Sequence, residues 1–272
     1  MTEPATLSGR TIVMSGGSRG IGLAIALRAA ADGANLVLLA KTDQPHPRLE
    51  GTIHSAVEQI EAAGGHGLAV VGDVRRDDDI DRAVAAAVET FSGIDIVVNN
   101  ASVLAPVGTL EVTPGRYDLM QDVNVRGTFM LTRACLPHLL ASDDPRVLTL
   151  SPPLNLSPHW LGRFPGYLLA KYGMTLATLG FAAEFPQIAA NTLWPRTLIA
   201  TAAIGNTLGE PALARSRDPR IVADAAHLIL TSRRTGQTLI DDEVLAEAGI
   251  TDLSGYSYLP GATDLQTDVF LD

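Results

Sequence analysis

In 272 residues the chain carries one cysteine, Cys135. Intrachain disulfides are excluded, and a reducing compartment suits such a composition. A single thiol inside an apolar, helix-like run reads as a small core residue rather than a nucleophile. Aromatic residues are scarce at 5%, and 20 Lys and Arg face 30 Asp and Glu, for a formal net charge of -10. That balance argues against nucleic acid or an anionic membrane surface as the main partner. No run approaches the ~18 apolar residues of a membrane span. Met1 to Arg10 lacks the basic-then-apolar pattern of a secretion signal, so a cytoplasmic protein is expected. His46, His54, His66, His138, His159 and His227 are scattered without ligand spacing, and no metal site is expected.

What is present is an alternation. Short apolar stretches at 11–15, 35–40, 67–71, 94–98, 146–150, 189–194 and 238–240 read as strands. Helical patterns occupy 20–31, 53–63, 79–91, 167–184 and 218–232. Thr113-Pro114 resembles a cap followed by proline at the first helical position, opening a helix to about residue 142 that bends near Pro137. Strands alternating with helices predict an α/β fold, a doubly wound, mostly parallel sheet with helices on both faces, in one domain over 1–272. Residues 197–217 read as a lid-like loop, and the polar tail after 242 has no evident dock. Asp77-Asp78-Asp79 reads as a helix cap and Asp241-Asp242-Glu243 as solvated surface.

Gly16-Gly17-Ser18-Arg19-Gly20-Ile21-Gly22 lies where the first strand enters the first helix. Glycine permits a tight turn and close backbone approach, and helix N-terminal amides attract phosphate. Placed there, the cluster predicts dinucleotide binding. An acidic residue at the tip of the second strand would bond the ribose hydroxyl of NAD; here the tip reads Ala40-Lys41-Thr42, and Arg19 sits in the turn. Two cations favour NADP(H), with Asp43 nearby as the contrary feature. Tyr167 and Lys171, four apart, share one face of a helix. An ammonium beside a phenol of ordinary pKa about 10 would lower it and form an acid/base pair.

Together these motifs resemble the short-chain dehydrogenase/reductase family over nearly the whole chain. Ser15 to Gly22 is similar to its Thr-Gly-x-x-x-Gly-x-Gly, with Ser15 in the threonine place. Asp73-Val74 is similar to the pair that contacts adenine, and Asn99-Asn100-Ala101-Ser102 to Asn-Asn-Ala-Gly, with Ser102 in the glycine place. Asn124 matches the asparagine that holds a relay water, and Tyr167 and Lys171 match the catalytic pair. The resemblance implies an NADP(H)-dependent oxidoreductase acting on a small-molecule carbonyl or alcohol, steroid-like or fatty acyl-derived, assembled as a homodimer or homotetramer. Tyr167 would exchange the proton, and Lys171 would bind the nicotinamide ribose.

Two departures stand out. Pro152 occupies the place of the family's catalytic serine, and proline has no hydroxyl to donate. Ser151 is then the expected polariser of the carbonyl, with Asn155 and Ser157 as weaker stand-ins. The usual Pro-Gly after the sixth strand is Pro195-Arg196, leaving Thr197 or Thr201 for the cofactor. His159, Trp160 and Phe164 either line a substrate pocket or pack. The alternative to an enzyme is a nucleotide-binding sensor or scaffold that lost turnover with the serine.

Overall fold

The computed structural model describes residues 6–45 and 51–272. His46 and Pro47 of the polar segment after the second strand lie outside the described residues. Seven strands, β1 Thr11–Ser15, β2 Asn35–Ala40, β3 His66–Val71, β4 Ile96–Asn99, β5 Arg146–Leu150, β6 Ala189–Trp194 and β7 Thr238–Ile240, form one sheet. Their order is β3-β2-β1-β4-β5-β6-β7, and every pairing is parallel. The helices are α1 Gly20–Ala30, α2 Ile53–Ala62, α3 Asp77–Phe91, α4 Pro114–Met120, α5 Gly127–Leu139 and α6 Pro158–Arg163. They continue with α7 Pro165–Glu184, α8 Ala202–Leu208, α9 Glu210–Ala214, α10 Arg220–Leu230 and α11 Asp241–Glu247.

Wholly buried central strands explain the near-continuous apolar runs: all five residues of β1 and of β5 are buried. One core layer packs α1, α2, α10 and α11 on one face of the sheet. A second packs α3, α5 and the end of α7 on the other. A third, smaller cluster gathers at the C-terminal end of β6 around Tyr167, Trp160, Trp194 and Phe270. The chain reverses direction across the sheet between β1 and β4, the crevice where open α/β sheets bind ligands.

Local signals explain the element ends. Thr113 Oγ1 accepts from Arg116 N, with Pro114 at the first helical position. Thr52 and Ser55 form a reciprocal cap on α2. Four expectations need correction. The helix following Thr113 is interrupted by a π-helical segment, Gln121–Arg126, instead of a bend at Pro137, which lies inside α5. Helix α3 begins at Asp77, so the three aspartates fill its first turn, where they favour the helix dipole, rather than capping it. Residues 197–217 contain α8 and α9. Asp241 is fully buried at the start of α11 rather than solvated.

Candidate active site

The glycine turn is built by close approach. Gly16 has φ +73°, and a Cβ there would lie 2.9 Å from Ala101 Cα. A Cβ on Gly22 would lie 2.5 Å from Asn100 Nδ2. Asn100 Nδ2 donates to Gly16 O at 2.8 Å, and Ser15 Oγ accepts from Asn100 N at 3.3 Å and Ala101 N at 3.1 Å. The loops after β1 and β4 are therefore clamped together, as a backbone cradle requires. Ser18 is buried, and Ile21 packs on the core beneath the turn. Arg19 donates to Gly51 O at 2.8 Å, while its buried Nε has no partner. Thr201 caps α8 and stands beside Gly20, so this helix begins against the turn.

At the adenosine end, exposed Lys41 holds its Nζ 3.7 Å from Asp73 Oδ2. Arg75 grips the same carboxylate, and Asp73 N donates to Asp79 Oδ2 at 2.8 Å. Val74 is buried beside Gly127. Asp43 lies 2.7 Å from His54 Nε2. The buried Thr197 Oγ1 has no partner, a hydroxyl free for a bound group beside Pro195. Backbone cradle, unpartnered Arg19 and Thr197 atoms and the exposed Lys41 fit a dinucleotide.

Tyr167 and Lys171 lie on the inner face of α7, only 4% and 2% exposed. Lys171 Nζ donates to Leu150 O at 2.7 Å and sits 5.0 Å from the centre of the Trp194 ring. Burial pulls the Lys171 ammonium down to about 7, with the charge of Asp268 opposing. The simple expectation of a lowered phenol is not met in these surroundings: burial pushes Tyr167 above its ordinary value, Asp268 adds to this, and the nearby Ser102 hydroxyl opposes it. Asn124 lies in the π-helical segment and is fully buried. Its side chain holds the backbone of Val103, accepting from N at 2.7 Å and donating to O at 3.2 Å.

Ser151 is fully buried, and its Oγ is hydrogen-bonded at 2.9 Å to Thr175 Oγ1, one turn beyond Lys171 on α7. Pro152 O is bonded to the same threonine at 2.7 Å. Asn155 is tied to Tyr172, whose hydroxyl donates to Asn155 O at 2.7 Å, and Ser157 Oγ is buried without a partner. Trp160 is packed, its ring edge-on to His159, and Arg163 lies over both Trp160 and Phe164.

The polar tail does dock, and on the Tyr167–Lys171 pair. Thr267 bridges to Thr197, Asp268 N donates to Arg196 O at 3.0 Å, and Trp194 Nε1 donates to Val269 O at 3.1 Å. Phe270 is fully buried, its ring 5.9 Å from Tyr167, 5.5 Å from Tyr172 and 5.7 Å from Trp160. Asp272 accepts from Trp160 Nε1 and Asn155 Nδ2, both at 3.0 Å. This strap places Asp268 beside Lys171, with burial raising its carboxyl to about 7. The one sequence signal for it is the apolar Val269-Phe270-Leu271 in an otherwise polar tail. Arg196, in the place of the family's glycine, is explained by α11: its N–H donates to Asp241 Oδ1 at 2.8 Å, and its guanidinium pairs with Asp242 and Glu243.

Among the described residues no helix is long and apolar enough to cross a membrane, and no group of three or more His, Cys, Asp or Glu is gathered for a metal.

A glycine cradle at the switch point of a doubly wound parallel sheet, with a buried Tyr-Lys pair beyond it, is the arrangement of a nucleotide-binding α/β protein. The sequence profile of the short chain dehydrogenases matches residues 10–205, and the chain belongs to that family. It is 49% identical over 269 residues to hydroxysteroid dehydrogenase-like protein 2 of Danio rerio, covering 98% of this chain and 65% of that protein. It thus spans just under two thirds of that relative's length. Among solved structures it is similar to a putative dehydrogenase from Xanthomonas campestris, 57% identical with a TM-score of 0.95, covering 98% of this chain and 99% of that one. A short chain dehydrogenase from Mycobacterium thermoresistibile is 52% identical with a TM-score of 0.93, covering 98% and 96%. Family membership brings with it a nicotinamide dinucleotide cofactor.

Proposed function

We propose that the protein is an NADP(H)-dependent oxidoreductase that interconverts a carbonyl and an alcohol, with Tyr167 as acid/base. The observation that carries this reading is the burial of Tyr167 and Lys171 together on α7, beyond the glycine cradle. The cofactor, when bound, supplies or accepts the hydride. The residues proposed to hold it are Gly16, Ser18, Arg19, Gly20, Ile21 and Gly22 at the pyrophosphate, and Lys41, Asp73 and Val74 at the adenosine. Asn100, Ala101, Ser102, Pro195 and Thr197 would lie towards the nicotinamide. As hydride reaches the carbonyl carbon, the carbonyl π pair moves onto oxygen. The Tyr167 O–H bond breaks to supply the proton, and the phenolate recovers one by way of Lys171. A lysine held near neutrality by burial exchanges protons readily in this role.

Preference for the phosphorylated cofactor rests on exposed Lys41 at the tip of β2. A steroid-like or fatty acyl-derived carbonyl is proposed as substrate class, by likeness to the Danio rerio protein's name. A homodimer or homotetramer is proposed because Phe129 on α5 and Leu169 and Leu176 on α7 leave large apolar side chains exposed. The deciding experiment is oxidation of NADPH and NADH over a ketone panel by the protein and Tyr167→Phe. Cofactor binding with no turnover by either would overturn the oxidoreductase reading in favour of a sensor or scaffold. Lys41→Asp should reverse the preference towards NADH, and an unchanged preference removes Lys41 from cofactor choice.

A further inference from the structure

Lys41 and Lys171 are the only two lysines in the sequence, and they are held in opposite ways. Exposed Lys41 has a carboxylate partner, Asp73 Oδ2 at 3.7 Å. Lys171 is 2% exposed and forms no salt bridge among the described residues. An ammonium taken out of water without a partner is costly. Leu150 O takes one of its hydrogens at 2.7 Å, and Met174 Sδ, a weak acceptor, lies at 3.5 Å. What meets the charge is the indole of Trp194. Its ring centre is 5.0 Å from Nζ, inside the ~6 Å over which a ring face attracts a cation.

The indole is itself fixed. Trp194 ends β6, buried and in register with Ile240 of β7. Its Nε1 donates to Val269 O at 3.1 Å, so the strap sets the rotation of the ring. Phe270 braces it, with ring centres 6.4 Å apart and planes at 45°. The titratable groups that face the ammonium are Tyr167, one turn before it on α7, and Asp268 in the strap. On the π-helical segment packed against α7, Asp122 is exposed and Arg126 is paired with Asp77. Leu150, Met174 and Trp194 do not titrate.

We propose that Trp194 is a positioning residue for the Tyr167–Lys171 pair, its ring face holding Lys171 as a buried ammonium in the place where a salt bridge would need a carboxylate. The catalytic consequence rests on the oxidoreductase reading above; the pairing itself does not. A carboxylate in contact with Lys171 would hold the cation, but its full negative charge would also oppose the phenolate that Tyr167 becomes during reduction. A ring face attracts the cation through its quadrupole and carries no net charge. Trp194 therefore offsets part of the burial that pulls the ammonium down, and adds no negative charge beside the phenol.

With two lysines in the chain, the side chain can be watched directly by NMR in protein grown on lysine isotope-labelled at Cε. One signal belongs to Lys41 and one to Lys171, told apart by Lys41→Arg. The Lys171 Hε signals should stand upfield, shielded by the indole face, and lose that displacement in Trp194→Leu. The Lys171 titration midpoint should fall by about one pH unit in Trp194→Leu, the size a desolvated cation–π contact supports. Trp194→Phe, which keeps a ring face, should fall by less. Incorporating mono-, di- and trifluorotryptophan keeps the shape of the ring while draining its face, so the midpoint should fall stepwise along that series whether or not Trp194→Leu folds. An unmoved midpoint along the series, or a larger fall in Asp268→Asn than in Trp194→Leu, overturns the proposal. Turnover of 9,10-phenanthrenequinone, 2-decanone and a 3-ketosteroid with NADPH tests the consequence: the limb of the kcat–pH profile set by Lys171 should move with its NMR midpoint. A limb that stays in place while the midpoint moves overturns the positioning role. A parent that turns over no probe while its midpoint follows the fluorine series overturns the oxidoreductase reading and supports the pairing.

Discussion

The cofactor end and the catalytic end of the site are built on different principles. The cofactor end is local and made of backbone: β1, its glycine turn and α1 follow one another, and the clamp from β4 uses main-chain groups and two side chains. The catalytic end is a wall of side chains assembled from α7, the loop after β5, the tip of β6 and a strap from the tail. Asn155 and Trp160 meet Asp272 across most of the second half of the sequence. Glycines and strand–helix boundaries specify the first end, whereas tertiary contact between polar and aromatic groups specifies the second. A lesion at each end should therefore do a different kind of harm.

Tyr167→Phe gives the sharpest contrast. Loss of a positioned general acid should cost about 10²–10⁴-fold in kcat, with cofactor affinity retained in a binding titration. Phe270→Ala removes a fully buried ring touching four aromatic neighbours. It should destabilise the protein by about 3–5 kcal/mol in denaturant unfolding. Equal stability to the parent would break the view of the strap as part of the wall. Gly22→Ala should act in the reverse sense: with a Cβ 2.5 Å from Asn100 Nδ2, overpacking of about 1–3 kcal/mol should appear chiefly as weaker cofactor binding.

The scaffold beneath β1 and the far end of the site also oppose one another in pH. At the far end of α1 from the glycine turn, burial works against the charge of Asp32, but bonds from Leu7 N, His227 and Arg28 hold its carboxyl well below the usual range. A depressed carboxyl stabilises above its unfolded value of about 3.9, and that contribution is lost as pH falls further. Asp32→Asn should lower stability at neutral pH and blunt acid unfolding. At the catalytic end, burial raises Asp268 to about 7 and Asp241 to about 6. A raised carboxyl gives its full contribution below about pH 3.9 and loses it as pH rises through the folded value. Asp268→Asn should remove the upper part of that decline and leave the part ending near pH 6 that belongs to Asp241. Thermal midpoints measured from about pH 2 to about pH 8 would check both signs, since the Asp32 window lies below about pH 3.9, and this is the smallest of the effects.

Much of the scaffold was legible in the residues. Strands β1 and β5 are fully buried apolar runs and announce themselves, and Thr113-Pro114 marked its helix start through a local cap. Gly16, Gly22, Asn100, Tyr167 and Lys171 were readable because close approach and helical spacing leave fixed traces in sequence. Asn124 was located, but not the π-helical segment that carries it, since one extra residue in a turn leaves no periodic mark. The partner of Ser151 was not readable, because a hydroxyl after a strand can face either way and Thr175 lies 24 residues further on. The strap was missed because polar Asp268 and Asp272 conceal three apolar residues whose partners lie far away in sequence. Asp241 escaped for a related reason: three acids in a row read as surface until Arg196 is seen beneath them.

Closing that strap requires a long loop to be drawn shut, an entropic cost that grows with the logarithm of its length. The glycine turn needs no such closure within β1 and α1. The wall should therefore be the last part of the molecule to form and the first to open. In mild denaturant the protein should stop reacting while still retaining its nucleotide, and amide exchange at Val269 and Phe270 should run ahead of exchange in β1.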